Sequence, residues 1–416
     1  MSVGVINDLS VILVSPNVSE RMGGEAIKAL QIYLELERQG ANVHQVTHER
    51  VQAELSRNYP GMKVSYVKDT YLQVTLNRIT PLKPFLGMIF LRDATRKVKE
   101  LLKERPDAVV HFTSPVSPVL PFFRVPNATV VIGPLNGNIH YPPCFRNREA
   151  FSYRVRRWLH PLMQFLHRHT FRGKQHADAL LVAGGERTYK SLRMAGCREE
   201  QFVDSIDSGV LDRLYESPRL IQTGVNLRFY QNGRLVPHKG TDLVIRSLKL
   251  TKNPVQFDII GHGPELENLK RLTAELGLED RVNFVGWIPD HSKVAEALRH
   301  YRAFVFPSLA EANGIVVQEA MAQGMPVIAL NWGGPSLLVS PETGVLIEPV
   351  NEAHVVSQLA QAMDRLAEDG DLAERMSIAS RKRALQHGFL WSGVIRNWTE
   401  VYLRLRDSKH MPAVMI

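Results

Sequence analysis

Cysteine is nearly absent from this 416-residue chain. Cys144 and Cys197 are the only two, which excludes a disulfide framework and any zinc site built from several thiolates. That scarcity suits a reducing cytoplasm. Long apolar runs are missing as well, and none approaches the roughly 18 residues of a spanning helix. The N-terminus, MSVGVINDLSVILVSP, lacks a basic region and a small-residue cleavage site, so its apolar stretch reads as a strand. There is no short-period repeat and no low-complexity segment. Acids are in deficit: 42 Asp and Glu stand against 51 Lys and Arg, a net charge of +9. Such a surplus suits a nucleic acid, an anionic membrane surface or a phosphate-bearing substrate. No aromatic platform or recognised module supports nucleic acid, so none is expected as a partner.

What remains is an ordinary globular composition, 44% hydrophobic and 22% charged, in a chain long enough for two domains of about 200 residues each. Short β-branched runs at 10–16, 42–48, 63–68, 108–113, 128–133 and 179–183 alternate with helical periodicity, as at 25–39. The rhythm restarts with strands at 227–231, 256–260, 282–285, 303–307, 326–330 and 344–347, with helices from about 239, 265, 292, 314 and 352. Strands separated by helices imply βαβ units and parallel sheets. The fold class is therefore α/β, two doubly wound Rossmann-like domains at 1–208 and 209–390. The linker is expected at 205–223, helices at 372–386 and 391–405, and a frayed tail from 407. In open parallel sheets ligands bind beyond the carboxyl ends of the strands, so an interdomain cleft is the expected site.

The densest group of motifs lies at 308–326. Glu311 follows a strand, Gly314 opens a helix, and Glu319 sits further along it. Backbone amides at a helix N-terminus suit a pyrophosphate, and a carboxylate deeper in the helix can accept from vicinal hydroxyls. At 230–243 a strand ends in a glycine turn, with Arg234 and Lys239 flanking the loop. Two cations there form a diphosphate clamp and stabilise charge on a departing nucleotide diphosphate. Gly23 and Gly24 follow the first strand and allow close backbone approach to a phosphate or sugar. Gly261 and Gly263 begin a G-x-G turn, but Leu266 replaces the third glycine of the dinucleotide fingerprint, which argues against NAD. His111 ends a strand, where it either hydrogen-bonds a bound sugar or is a satisfied structural residue. Gly137 and Asn138 are loop candidates on the acceptor side. The segment 146–174 carries eight Lys or Arg against Glu149 alone, with an apolar stripe at helical spacing. Packing of that stripe on the sheet is favoured over an anionic membrane surface, and the spacing of His160, His167 and His169 fits no metal site.

Together these blocks resemble the retaining family-four glycosyltransferases of the GT-B fold, most strongly through NGRLVPHKG, IIGHGPELENL, VNFVGWIP, FVFPSLAEANGIVVQEAMAQGMPVIAL and NWGGPSLLV. GGEAIKAL, HFTSP, VVIGPLNGN and ADALLVAGGERT look like the acceptor domain of the same family. The resemblance implies two domains facing a cleft, and a final helix from about 391 that crosses back to the first. It implies that Glu319 holds the donor ribose and Glu311 meets the donor sugar. Arg234 and Lys239 would clamp the diphosphate. Asn313, Gly314, Ile315 and Val316 would offer amides, and Gly286 and Trp287 would lie near the base. Gly23, Gly24 and His111 would approach from the other domain. It further implies a nucleotide-sugar donor, a glycan or lipid acceptor, no bound cofactor or required metal, and work in the cytoplasm or on the inner face of the membrane. Ala312-Asn313 departs from the family's usual glycine and aromatic residue. Within the same fold, a nucleotide-sugar epimerase or sugar phosphorylase is the rival activity.

Overall fold

The computed structural model describes residue 6 and residues 8–69, 83–288 and 298–410. It divides into two units: Met1–Asn138 with Arg156–Ser208 and Val394–Ile416, and Ile139–Val155 with Gly209–Gly393. Each is built on a parallel sheet.

In the first unit the strands are β1 (Ser10–Val14), β2 (Asn42–His48), β3 (Val64–Val67), β4 (Val109–Phe112), β5 (Thr129–Leu135), β6 (Ala179–Val182) and β7 (Phe202–Asp204), in the order β3-β2-β1-β4-β5-β6-β7. The three residues of β7 were too few to stand out as a run in the sequence. The order reverses between β1 and β4. Ile12, Val14, Val110, Phe112 and Ile132 are buried in one core with Phe90, Leu91 and Val98 of the helix Lys83–Glu104. Near-continuous Val and Ile runs are what strands covered on both faces require.

The second sheet takes β8 (Arg228–Asn232), β9 (Gln256–Ile260), β10 (Val282–Gly286), β11 (Ala303–Phe306), β12 (Val327–Leu330) and β13 (Gly344–Ile347), in the order β10-β9-β8-β11-β12-β13. Its reversal falls between β8 and β11. The helix anticipated from about 292 lies outside the described residues. The stretch anticipated as a linker holds a short helix, Asp212–Glu216.

Residues 139–155, assigned from sequence to the N-terminal domain, group with the second unit for a plain reason. Tyr141 and Phe145 are buried in its core. Arg148 pairs with Asp242 at 2.8 Å and Glu352 at 2.9 Å, and the Trp332 indole donates to the His140 carbonyl at 2.7 Å. The tail also differs from expectation: the last helix runs Trp391–His410, and the Lys409 ammonium ties its end to Asp178 and to the Ala128 carbonyl. Residues 411–416 lie outside the described residues. Among the described residues, no helix is long and apolar enough to cross a membrane.

Candidate functional site

In the second unit the candidate residues gather at the carboxyl ends of β8 to β11, where the strand order reverses and a doubly wound sheet opens a crevice. The loops are laced together by backbone. Gly233 N–H donates to Ile260 at 3.0 Å, Leu235 to His262 at 3.0 Å, and Gly261 to Gly286 at 2.9 Å. A Cβ on Gly261 would lie 2.0 Å from the Gly233 carbonyl oxygen, and one on Gly263 2.2 Å from that of Leu235. Glycine at both positions is therefore a packing requirement of the loops themselves. Gly286 (φ 81°) has open space where a Cβ would be, and the adjoining Trp287 is exposed.

Lys239 ends the short turn Pro237–Lys239, and Gly240, at φ 67°, caps the helix Thr241–Leu248. A Cβ on Gly240 would meet the Pro307 carbonyl at 2.4 Å, so the loops after β8 and β11 touch there. Leu309 N–H adds a hydrogen bond to the His238 carbonyl at 2.7 Å. This contact brings the Lys239 ammonium onto the Glu311 carboxylate, 72 positions away in the chain. The same ammonium sits 4.8 Å from the centre of the buried Phe306 ring, a cation–π contact that fixes its height above the sheet. Arg234 is exposed and, among the described residues, makes no ion pair.

The Glu311 loop is held from outside by Gly333 and Gly334. Gly334 N–H donates to the Glu311 carbonyl at 2.9 Å, and side chains on either glycine would collide with the carbonyls of Glu311, Ala312 or Asn313. The sequence displayed this support as NWGGP, without a sign of what it touched. Gly314, at φ 86°, starts the helix Ile315–Ala322, whose first amides, on Ile315 and Val316, have no carbonyl partner within the helix. Asn313 turns its side-chain amide to Gln318 at 3.0 Å.

Glu319 lies on that helix, largely buried. Among the described residues no donor reaches its carboxylate. Desolvation alone pushes its pKa up to about 7, and its charge adds to the burial that raises the Tyr230 phenol. A desolvated carboxylate without a partner is costly to the fold, and a pair of donor hydroxyls would relieve it. Tyr230 and Phe306, both buried strand residues, were not singled out from the sequence. Within their motifs they read only as the apolar pattern of a central strand.

In the first unit, Gly23 (φ 96°) caps the helix Gly24–Arg38 just beyond β1. A Cβ on Gly23 or Gly24 would meet nothing within 4 Å. The turn before them is set by the Ser19 hydroxyl, which accepts from Arg21 and Met22 N–H and donates to Glu54 at 2.7 Å. Gly137 is buried against Pro118, 2.4 Å from where its Cβ would be, and the Arg187 guanidinium donates to its carbonyl. Asn138 adopts φ 56°, and among the described residues its buried side-chain oxygen has no partner.

His111 requires a correction. It is fully buried on β4, and both ring nitrogens are used. A carbonyl can only accept, so Nε2–H donates to Gly133 at 2.8 Å, and Nδ1 accepts from the Tyr402 hydroxyl at 2.7 Å. Burial holds its pKa down to about 3, so the ring stays neutral. With no open face and no free nitrogen it braces the final helix against β4 rather than meeting a substrate. Tyr402→Phe is accordingly expected to cost about 1–2 kcal/mol in chemical denaturation. The nucleotide affinity should be unchanged; a loss of binding without a loss of stability would restore the ligand role.

Among the described residues no three His, Cys, Asp or Glu side chains gather as a metal site.

Residues 225–383 match the family described as Glycosyl transferases group 1. Among curated proteins, the lipopolysaccharide core biosynthesis glycosyltransferase LpsD of Rhizobium meliloti (strain 1021) is 36% identical over 175 residues, 42% of this chain and 48% of that protein. A GDP-mannose-dependent alpha-(1-6)-phosphatidylinositol monomannoside mannosyltransferase of Mycobacterium tuberculosis is 33% identical over 190 residues, 42% of this chain and 45% of that one. The chain thus spans about half the length of the curated relatives it matches. Among solved structures, a glycosyltransferase from Rickettsia africae ESF-5 aligns with a TM-score of 0.64 at 16% identity, over 96% of this chain and 99% of its own. Anabaena Alr3699/HepE in complex with UDP aligns with a TM-score of 0.62 at 18% identity, over 94% and 99%. At such identities the likeness is one of fold, and the fold is GT-B.

Proposed function

We propose that the protein is a nucleotide-sugar-dependent glycosyltransferase, because residues 225–383 match the glycosyl transferases group 1 family and the chain has the GT-B fold. It takes the sugar of a UDP- or GDP-sugar and passes it, with retention at the anomeric carbon, to a hydroxyl on a lipid-borne or polysaccharide acceptor in the cytoplasm. The observation that carries this reading is the trio on the second sheet: Lys239 held by Glu311, a helix opened at Gly314, and an unpartnered Glu319 carboxylate.

In this reading Glu319 accepts from the two ribose hydroxyls, which replace the water lost on burial. The amides of Ile315 and Val316 meet the donor's oxygens. Lys239 and Arg234 lie along the diphosphate, and their charge grows in value as the bond from the anomeric carbon to the β-phosphate oxygen breaks. The acceptor oxygen forms its new bond on the same face, and its proton passes to the departing diphosphate. The LpsD and mannosyltransferase relatives support a lipid or lipopolysaccharide acceptor, and the GDP-mannose of the latter and the UDP of the Anabaena protein support the two donor classes.

Thermal unfolding with UDP, GDP, ADP or NAD tests the donor site. One of UDP and GDP is expected to raise the melting temperature of the wild type by a few degrees at saturation, and to leave Glu319→Ala unmoved. If no nucleotide diphosphate shifts the wild type, the carboxylate is structural and the proposal fails. Product analysis with the donor alone then separates transfer from epimerisation, since an epimerase needs no acceptor.

A further inference from the structure

The helix Phe151–Thr170 is built the wrong way round for a globular protein. Its two buried side chains are polar, Gln164 and His167. Its large apolar side chains are exposed: Trp158 by 80%, Phe151 by 73%, Phe165 by 58%, and Leu162 and Leu166 by about half. At 100° per residue, positions 151, 155, 158, 162 and 165 form one stripe, and 164 and 167 lie diametrically opposite. The expectation that the stripe packs on the sheet is therefore overturned. The helix docks through hydrogen bonds instead. Gln164 donates to the Pro118 carbonyl at 3.0 Å and to the Ser191 hydroxyl, and His167 Nδ1–H donates to the Val119 carbonyl at 2.7 Å. Lys174, buried just beyond, also donates to Pro118. With its polar side bonded into the protein through these donors, the apolar side is turned outward.

We infer that this helix is a membrane-docking element, whose partner is the surface of an anionic phospholipid bilayer. Charge decides among occupants. From Ala150 to Ala177 the sequence contains no acidic residue, and Arg154 beside the stripe and Arg168 and Arg172 further along the segment are exposed. A second copy of the chain would bring two such basic helices together; anionic headgroups would neutralise one. The large apolar side chains, capped by an exposed Trp, match the depth of the headgroup and acyl boundary into which amphipathic helices settle. The consequence is positional. The loop gripped by Gln164, His167 and Lys174 is the one whose Pro118 packs on Gly137, so the acceptor-side loop of the first unit is fastened to the surface helix. The inference goes beyond the proposed activity and does not depend on it.

Flotation of the full chain with lipid vesicles tests it. The wild type is expected to float with vesicles of phosphatidylcholine mixed with phosphatidylglycerol, and roughly tenfold less with phosphatidylcholine alone or in high salt. The triple variant Trp158→Ser, Leu162→Ser, Phe165→Ser should lose binding by roughly tenfold or more while keeping a melting temperature within a few degrees of wild type, because these side chains are more than half exposed and lie outside the buried core. Arg154→Glu with Arg168→Glu should abolish the preference for anionic vesicles. A wild type that stays unbound, or a triple variant that floats as well as wild type, overturns the inference. So does a dimer, seen by sedimentation velocity without lipid, that the triple variant converts to monomer, because the stripe would then belong to a second copy. Nucleotide-induced stabilisation, measured on the same samples, reports on the donor site separately.

Discussion

Replacing Lys239 by alanine is expected to lower turnover by on the order of a thousandfold while leaving the melting temperature within a few degrees of wild type. The Lys239 ammonium is the candidate cation with a defined position, set by its contacts with the Glu311 carboxylate and the Phe306 ring. A fixed charge aimed where a diphosphate becomes more negative needs no reorganisation at the moment of reaction, and this is why such groups contribute more to the transition state than to binding. The loss should therefore appear in kcat more than in KM. A structural account of the same ion pair makes a different forecast. If Lys239 served only to satisfy Glu311, removing both partners should relieve the unpaired carboxylate and restore activity. The double variant Lys239→Ala, Glu311→Ala is expected to be as inactive as the single one. Recovery in the double variant, or near-normal turnover in Lys239→Ala, would remove lysine from the chemistry. Arg234→Ala, at an exposed position, should raise KM more than it lowers kcat.

The second large effect concerns Glu319 and pH. Its carboxyl holds a proton in the folded protein up to about pH 7, whereas a solvated glutamate in the unfolded chain loses it near pH 4.5. Between those values the folded state binds the extra proton, so stability falls as pH rises through the window, and the cost is greatest above pH 7. Glu319→Gln removes that cost. At pH 8 the variant is expected to be more stable than wild type by up to about 2–3 kcal/mol, with the difference vanishing near pH 4.5. Ligand binding should move the opposite way. Ribose hydroxyls donate, and an ionised carboxylate accepts them best. Nucleotide affinity of the wild type should then rise from pH 6 to pH 8, while the glutamine variant binds about tenfold or more weakly with a flat profile. Denaturant titrations and calorimetry at several pH values measure both. A glutamine variant that binds like wild type at pH 8 would show that the buried carboxylate serves the fold alone.

Much of the architecture was legible because parallel sheets covered on both faces announce themselves as β-branched runs between helical periods. The residues at strand ends were legible for the same reason: Gly240 and Gly314 stand where a strand must turn into a helix, and both adopt positive φ there. What could not be read was partnership. Nothing near Lys239 names Glu311 as its counterion, and nothing near Gly261 shows that its hydrogen faces the Gly233 carbonyl. His111 looked like a residue at the mouth of a strand because the Tyr402 hydroxyl that claims it lies 291 positions away. The helix Phe151–Thr170 misled differently. Periodicity revealed an apolar stripe and its width, but the stripe's direction was set by two hydrogen-bonding residues, Gln164 and His167, on a face that hydrophobicity ignores. Residues 139–155 were placed in the first domain by adjacency, whereas Tyr141 and Phe145 belong to the second core.

The last helix, Trp391–His410, starts in one unit and ends in the other, where Trp398 donates to Ser205 at 2.8 Å, Tyr402 to His111 and Lys409 to Asp178. On the ribosome this reverses the usual order of completion. The first unit supplies the earliest residues to emerge, yet its β4 waits for Tyr402, with nearly the whole second unit synthesised in between. A nascent chain must therefore carry an unfinished first core for most of its synthesis, and a fragment cut at residue 208 would carry that defect permanently.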